Sequence, residues 1–216
     1  EVFRVRGDVK WRTRTGYGGD RVDETPAQGA FPTSTWTDVD GNTVRLRQFH
    51  GALGSAGFTD TTYRYNRKGK LDQVRDAGGN LWSYGYDLLG RRTSTDDPDQ
   101  GASTSTYTDA GDLRTSTSAE NETLWYAYDV LGRKTAVRDG SETGRLRAEW
   151  TYDTIGTTRW LEQATGSIRH VGPDRYITAI GGFTDLYQPT SRTITVPMAE
   201  AGLGGSYSYV YGFTDG

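Results

Sequence analysis

Three carboxylates crowd one short stretch, Asp96, Asp97 and Asp99, and paired carboxylates are the equipment of glycoside cleavage. Adjacent acids on a turn face different ways, and the sequence sets no partner acid across a cleft, so a turn is the preferred reading. A second acidic stretch, Asp38-Val39-Asp40-Gly41-Asn42, opens like a calcium loop. Such a loop needs a glutamate at its twelfth position, and Phe49 stands there; an aspartate-glycine turn is again preferred. His50 and His170 lie far apart without clustered partners, and there is no cysteine, so no thiolate metal site or catalytic triad takes shape. Gly54-Ser55-Ala56-Gly57 lacks the leading glycine of a nucleophile elbow, because Leu53 occupies it. No glycine motif of the phosphate-cradling kind follows a strand pattern. Asn121-Glu122-Thr123 is a formal glycosylation acceptor, read here as a turn. The expected catalytic, cofactor and metal sets are therefore empty, and the chain is expected not to be an enzyme.

Aromatic side chains offer a different chemistry. Trp82, Trp125 and Trp150 are of the type that stacks on sugars. Most aromatics fall at positions that packing would claim, but Trp125 alternates with Tyr126 and so belongs to the opposite face from Tyr126 and Tyr128. It is the candidate surface contact, for carbohydrate or for a partner protein. Other partners find less support. A net charge of −3 spread over both signs makes no electrostatic case for nucleic acid. No stretch approaches the roughly 20 apolar residues of a membrane-spanning helix. Only Lys10, Lys68, Lys70 and Lys134 are lysines among 25 basic residues, a bias that suits a GC-rich bacterial genome. The sequence starts at Glu1 and stops at Gly216 within a strand-like pattern, which reads as a piece of a longer chain.

What must position these residues is a repeat. Tyr84-Gly85-Tyr86-Asp87-Leu88-Leu89-Gly90-Arg91 returns as Tyr126-Ala127-Tyr128-Asp129-Val130-Leu131-Gly132-Arg133. Weaker copies surround Tyr63, Tyr65 and Gly69, and Tyr107 and Gly111. Their glycines, Gly69, Gly90, Gly111 and Gly132, each follow the last by 21 residues. Tyr152-Asp153-Thr154-Ile155-Gly156 continues the array after a three-residue insertion, and Thr184-Asp185-Leu186-Tyr187 has a tyrosine where the glycine belongs. The array covers 1–216 as a lead-in over 1–34, regular repeats over 35–157 and degenerate repeats over 158–216.

Trp82, Tyr84 and Tyr86 are two apart, as are Leu124, Tyr126 and Tyr128, which is the period of a strand and not of a helix. A glycine closing a three-residue loop suits a left-handed turn position with a bulge. Each period is thus strand, tight turn, strand and looser turn. The expected fold is all-β, an array of antiparallel hairpins of about ten or more strands in one long curved, twisted sheet. Tyrosines of successive hairpins are expected to stack as cross-strand neighbours. Valine at Gly90, in the tight turn, should harm the fold more than valine at Gly101, in the looser one.

These residues resemble the RHS/YD-repeat family, whose hallmark is Tyr-Asp, a glycine three residues on, then arginine. Tyr86-Asp87…Gly90-Arg91 and Tyr128-Asp129…Gly132-Arg133 carry it in full, and Tyr152-Asp153…Gly156 carries it without the arginine. The resemblance is clear over about 35–157 and looser to Gly216. It implies a section of a spiral β-shell in a secreted or cell-surface bacterial protein, as in polymorphic toxins, insecticidal toxin complexes and teneurins. It further implies a non-catalytic scaffold whose partners are the rest of the same shell and an enclosed C-terminal toxin. The alternative is an adhesion module that binds carbohydrate or protein through exposed aromatics.

Overall fold

The structure, a computed structural model, describes residues 2–5, 8–27 and 30–213. Among these it has nineteen strands and no helix, so the all-β expectation holds. The chain divides into two compact units, Glu1–Ser103 and Thr104–Gly216, with the division inside strand Gly101–Tyr107.

In the first unit, Val2–Val5 and Asp8–Arg12 form a separate hairpin, so the lead-in has strands of its own. The strands Arg14–Gly18, Arg21–Thr25, Thr33–Thr37, Thr43–Phe49, Phe58–Tyr65, Leu71–Arg75, Leu81–Tyr86 and Arg92–Asp97 then pair antiparallel, each with the next. In the second unit the same rule runs from Gly101–Tyr107 through Leu113–Thr117, Thr123–Tyr128, Lys134–Asp139, Leu146–Ile155, Thr158–Val171, Asp174–Phe183 and Pro189–Val196 to Gly205–Val210. Chain order is strand order, which is the outcome expected when hairpins are the building unit.

Within each unit the sheet is a single layer: no strand lies across the face of another. Only Phe49 and Phe183 are buried hydrophobics among the described residues, and no side chain is fully buried. The accessible surface is 14727 Å², against about 10,000 Å² for a compact protein of this mass. Strand alternation still gives each face a character. In the first unit Tyr63, Val74 and Trp82 form a row on one face, while Arg21, Trp36, Arg45, Thr62 and Arg75 form a row on the other. In the second, Tyr126, Val137, Ala148, Arg169 and Tyr176 make one row.

The expected tyrosine-on-tyrosine stacking is not what the register gives. Tyr63 lies opposite Val74, and Tyr126 opposite Val137. A return strand separates the tyrosine-bearing strands of successive hairpins, and it sets valine opposite Tyr63 and Tyr126 and Thr95 opposite Tyr84.

The turns are more uniform than the sequence implies. At Asp87 the backbone N–H donates to the Arg91 carbonyl (3.0 Å), and the Gly90 N–H donates back to the Asp87 carbonyl (3.1 Å). Asp129 with Gly132 and Arg133 repeats this, and so do Asn66 with Gly69 and Lys70, and Thr108 with Gly111 and Asp112. Two turns at the supposedly looser end, Asp76–Asn80 and Ser118–Glu122, are the same three-residue type, whereas Asp97–Gly101 has its left-handed residue one place later. Gly90 and Gly101 have φ of +78° and +79°, so the contrast expected between them is overturned: both backbones are left-handed, and valine should strain them alike.

At Ser118–Glu122 the left-handed slot is held by Asn121, with φ +61°. That residue type tolerates the region by bonding locally, whereas a branched Cβ does not. Gly132, at φ +75°, has room around it, the nearest contact of an added Cβ being Asp112 Oδ1 at 3.8 Å. Gly132→Val should therefore cost about 1–2 kcal/mol or more in urea unfolding, and Gly132→Asn well under half as much. Equal losses would show that backbone handedness is not what the slot selects.

Candidate functional site

A one-layer sheet has little apolar burial to hold hairpin to hairpin, and tyrosine hydroxyls supply a directed contact instead. The Tyr65 hydroxyl donates to the Thr43 carbonyl (3.1 Å), Tyr86 to Leu71 (2.7 Å), Tyr128 to Leu113 (2.9 Å) and Tyr152 to Lys134 (2.8 Å). Every acceptor lies two residues beyond the turn glycine of the preceding hairpin, after Gly41, Gly69, Gly111 and Gly132. Those positions are the bulges, where register shifts. A bulge disrupts the ladder, and a half-buried carbonyl there is costly to leave unpaired. The second tyrosine of each repeat satisfies it. Burial, first of all, raises the pKa of Tyr65 and of Tyr128, which keeps the donor proton in place. Tyr107 ends its strand opposite Leu113.

The first tyrosine of each repeat does something else. The Tyr84 ring lies 5.6 Å from the Arg92 guanidinium, and the Tyr126 ring 4.8 Å from Lys134 Nζ.

The aspartates are turn formers. Asp87 Oδ1 accepts the N–H groups of Leu89 (3.0 Å) and Arg91 (2.9 Å), while Oδ2 accepts Arg91 Nε (2.6 Å). Asp129 makes the same three bonds to Leu131 and Arg133. Partial burial works against ionisation of both carboxyls, but the hydrogen bonds from Arg91 and from Arg133 outweigh it and hold them below the ordinary range.

Arg133 also closes the gap in the next repeat, which lacks its own arginine. Its Nη1 and Nη2 fork onto Asp153 at 2.8 and 2.7 Å, and its guanidinium lies 4.4 Å from the Tyr152 ring. Asp153 is not at a three-residue turn. Its strand runs on to Ile155, and its backbone is left-handed, with φ +65°. The fork, with the Glu162 N–H at 2.7 Å, draws the Asp153 carboxyl down to about 2 and raises the pKa of Arg133. Tyr187 is likewise left-handed, at φ +60°, in the glycine slot of the Thr184–Gln188 turn. Its ring meets Trp160, which in turn meets Phe183.

The residues first considered for chemistry are dispersed. Asp97 Oδ1 accepts the N–H groups of Asp99 and Gln100, and Asp38 Oδ1 those of Asp40 and Asn42. His50 meets the ring of Phe31, and His170 Nε2 lies 2.9 Å from Glu149 Oε1. Ser55 Oγ reaches the Gly57 carbonyl at 3.4 Å. No group of three or more His, Asp or Glu side chains suited to a metal occurs among the described residues. Trp82, Trp125 and Trp150 are half-buried. Trp125 lies in register between Thr115 and Arg138. Sequence reasoning missed the hydroxyl-to-bulge bonds and the shared Arg133. The signal for the former is the acceptor's constant place two residues after a turn glycine, at an offset of 15 from Tyr86 to Leu71 and from Tyr128 to Leu113.

Fold and site thus define a repeat protein of β-hairpins bound by turn aspartates and tyrosine hydroxyls. Residues 65–102 match the family described as RHS Repeat, so this stretch carries RHS repeats. No curated protein matches the sequence. Among solved structures, the Tc holotoxin pore of Photorhabdus luminescens is similar at a TM-score of 0.70 and 15% identity, over 86% of this chain and 10% of that one. A TcdB2–TccC3 crystal structure without its hypervariable C-terminal region gives 0.71 and 16%, over 86% and 10%. The TcdB2–TccC3–TEV crystal structure gives 0.70 and 14%, over 95% and 11%. This chain spans about a tenth of the length of those chains, and the likeness is one of fold.

Tyr86→Phe should cost about 0.5–1.5 kcal/mol in urea unfolding. Tyr84→Phe should cost less, because the Tyr84 hydroxyl has no hydrogen-bond partner among the described residues. Equal losses would remove the bulge carbonyl from the account. Asp153 titrates from an ordinary 3.8 down to about 2 on folding, so its contribution is fully present above about pH 5 and is lost as pH falls through about 2. In Asp153→Asn the acid decline of the melting temperature should flatten over that window; an unchanged decline would show that the fork does not couple to stability.

Proposed function

We propose that this chain is a stretch of shell wall in a longer, secreted RHS/YD-repeat protein, and that it works without catalysis, by enclosing a toxic C-terminal segment. The observation that carries this reading is the single-layer hairpin sheet whose neighbouring hairpins are tied by a tyrosine hydroxyl at four of the turn bulges. Such a sheet extends indefinitely by adding hairpins, which is what a wall requires and what a globular binding domain does not. The fold likeness to TcdB2–TccC3 and Tc holotoxin structures supports the same reading. The partners of the wall are the remaining repeats of its own polypeptide and the segment they surround.

The test is proteolysis of the whole protein. A time course with a broad protease compares the intact wall with a Gly90→Val, Gly132→Val double variant. The segment beyond the repeats should survive in the first and be digested at least about ten times faster in the second, since opening exposes cargo in proportion to the population of open wall. Equal digestion of that segment in both would overturn enclosure. Turnover in a broad hydrolase screen, lost on substitution within this chain, would overturn the absence of catalysis.

A further inference from the structure

Between Gly132 and Gly156 three extra residues break the spacing of 21, and they build something. Hairpin ends at Asp76–Asn80 and Ser118–Glu122 close over four residues, whereas the end after Lys134–Asp139 closes from the Asp139 N–H to the Arg145 carbonyl over six. Two of the three inserted residues therefore lengthen this loop. The third is a bulge: Val137 pairs with Ala148 and Arg138 with Leu146, which leaves Arg147 as the extra residue. Arg145 and Arg147 both owe their positions to the insertion.

The next hairpin brings its own end to the same place. Val171 pairs with Asp174 across Gly172-Pro173, and the strand leading there carries Arg169 and His170. Arg145, Arg147, Arg169, His170, Val171 and Gly172 line a cavity of about 270 Å³. Asp139 accepts Arg145 Nε at 2.8 Å and also Arg147 Nε, and Glu149 meets His170. These bonds fix the two guanidiniums by their inner edges. Their Nη groups donate no hydrogen bond among the described residues, and the Arg169 guanidinium, 5.8 Å from the Tyr176 ring, has no acidic partner there. Three guanidiniums thus face two carboxylates, an excess of positive charge around a concave space.

We propose that this hairpin end binds a tetrahedral oxyanion, a phosphate or sulfate group borne by a small molecule, through Arg145, Arg147 and Arg169. A planar carboxylate is satisfied by one guanidinium fork. Guanidiniums arriving from a loop, a bulge and a neighbouring strand suit an anion with three or four acceptor oxygens. Asp139 holds two of the three arginines ready, so little side-chain freedom is lost on binding. The site lies in one unit and does not depend on the enclosure reading.

The experiment is calorimetric titration of the full chain with inorganic phosphate and, separately, inorganic sulfate, at an ionic strength held constant with sodium chloride. Acetate serves as the planar comparator. Saturable one-to-one binding is expected for at least one tetrahedral anion, and which one binds distinguishes a phosphate from a sulfate source. Arg169→Gln should weaken it at least about ten-fold, whereas Arg175→Gln, which pairs across from His170 outside the cavity lining, should change it less than two-fold. Arg145→Gln, at a highly exposed loop end, should weaken it as well and serves if Arg169→Gln unfolds. No saturable binding of either anion, acetate binding as tight, or affinity unmoved by both lining variants would overturn the site.

Discussion

A sheet exposed on both faces cannot rely on the buried core that holds ordinary domains, and the hydroxyl of one tyrosine per repeat takes over part of that work. The bond is short-range and directed, and it terminates on the backbone carbonyl that the preceding turn's bulge leaves unpaired. Backbone ladders alone join strands without fixing which face carries which side chain. A tyrosine reaching a fixed carbonyl at the start of the adjacent return strand sets both register and spacing. Where the period is the regular 21, the separation is the same 15, from Tyr86 back to Leu71 and from Tyr128 back to Leu113.

The turn chemistry follows from the same constraint. A bulge occurs where a type I turn ends in a left-handed residue, so the glycine that closes the turn creates the carbonyl that the tyrosine then satisfies. The aspartate at the start holds the turn by accepting two backbone N–H groups, and the arginine at the end neutralises it. Tyrosine, aspartate, glycine and arginine are therefore parts of one device. Removing the arginine, as in the repeat that starts at Tyr152, is tolerated because Arg133 sits within reach of both Asp129 and Asp153.

Much of this was legible in the sequence, and the reasons are physical. Period two around Trp82, Tyr84 and Tyr86 specifies strands, and glycines at a constant interval specify turns, because both are local rules. The identity of the second turns was not legible. Asp76 and Ser118 reach the same geometry through side-chain bonds and through Asn121, with no motif in common. Nor was the role of the tyrosine, since its acceptor is a backbone atom in another hairpin, and any residue type there presents the same carbonyl. The left-handed Tyr187 was visible as a departure, but its Trp160 neighbour lies 27 residues earlier, beyond any local pattern.

The insertion before Trp150 shows where such an array is free to change. Tyr152 still reaches Lys134, at a separation of 18 instead of 15, so the bond absorbed three residues without loss. It did so because those residues leave the sheet at the end of the hairpin opposite the Tyr-Asp turn, as a longer loop and one bulge. The Tyr-Asp end carries the bonds that set the spacing and cannot lengthen without breaking them. The other end carries none, so additions there cost little beyond their own closure entropy, which grows slowly with length. Chemistry added to a wall of this kind belongs at that end, and the arginine-lined cavity lies there.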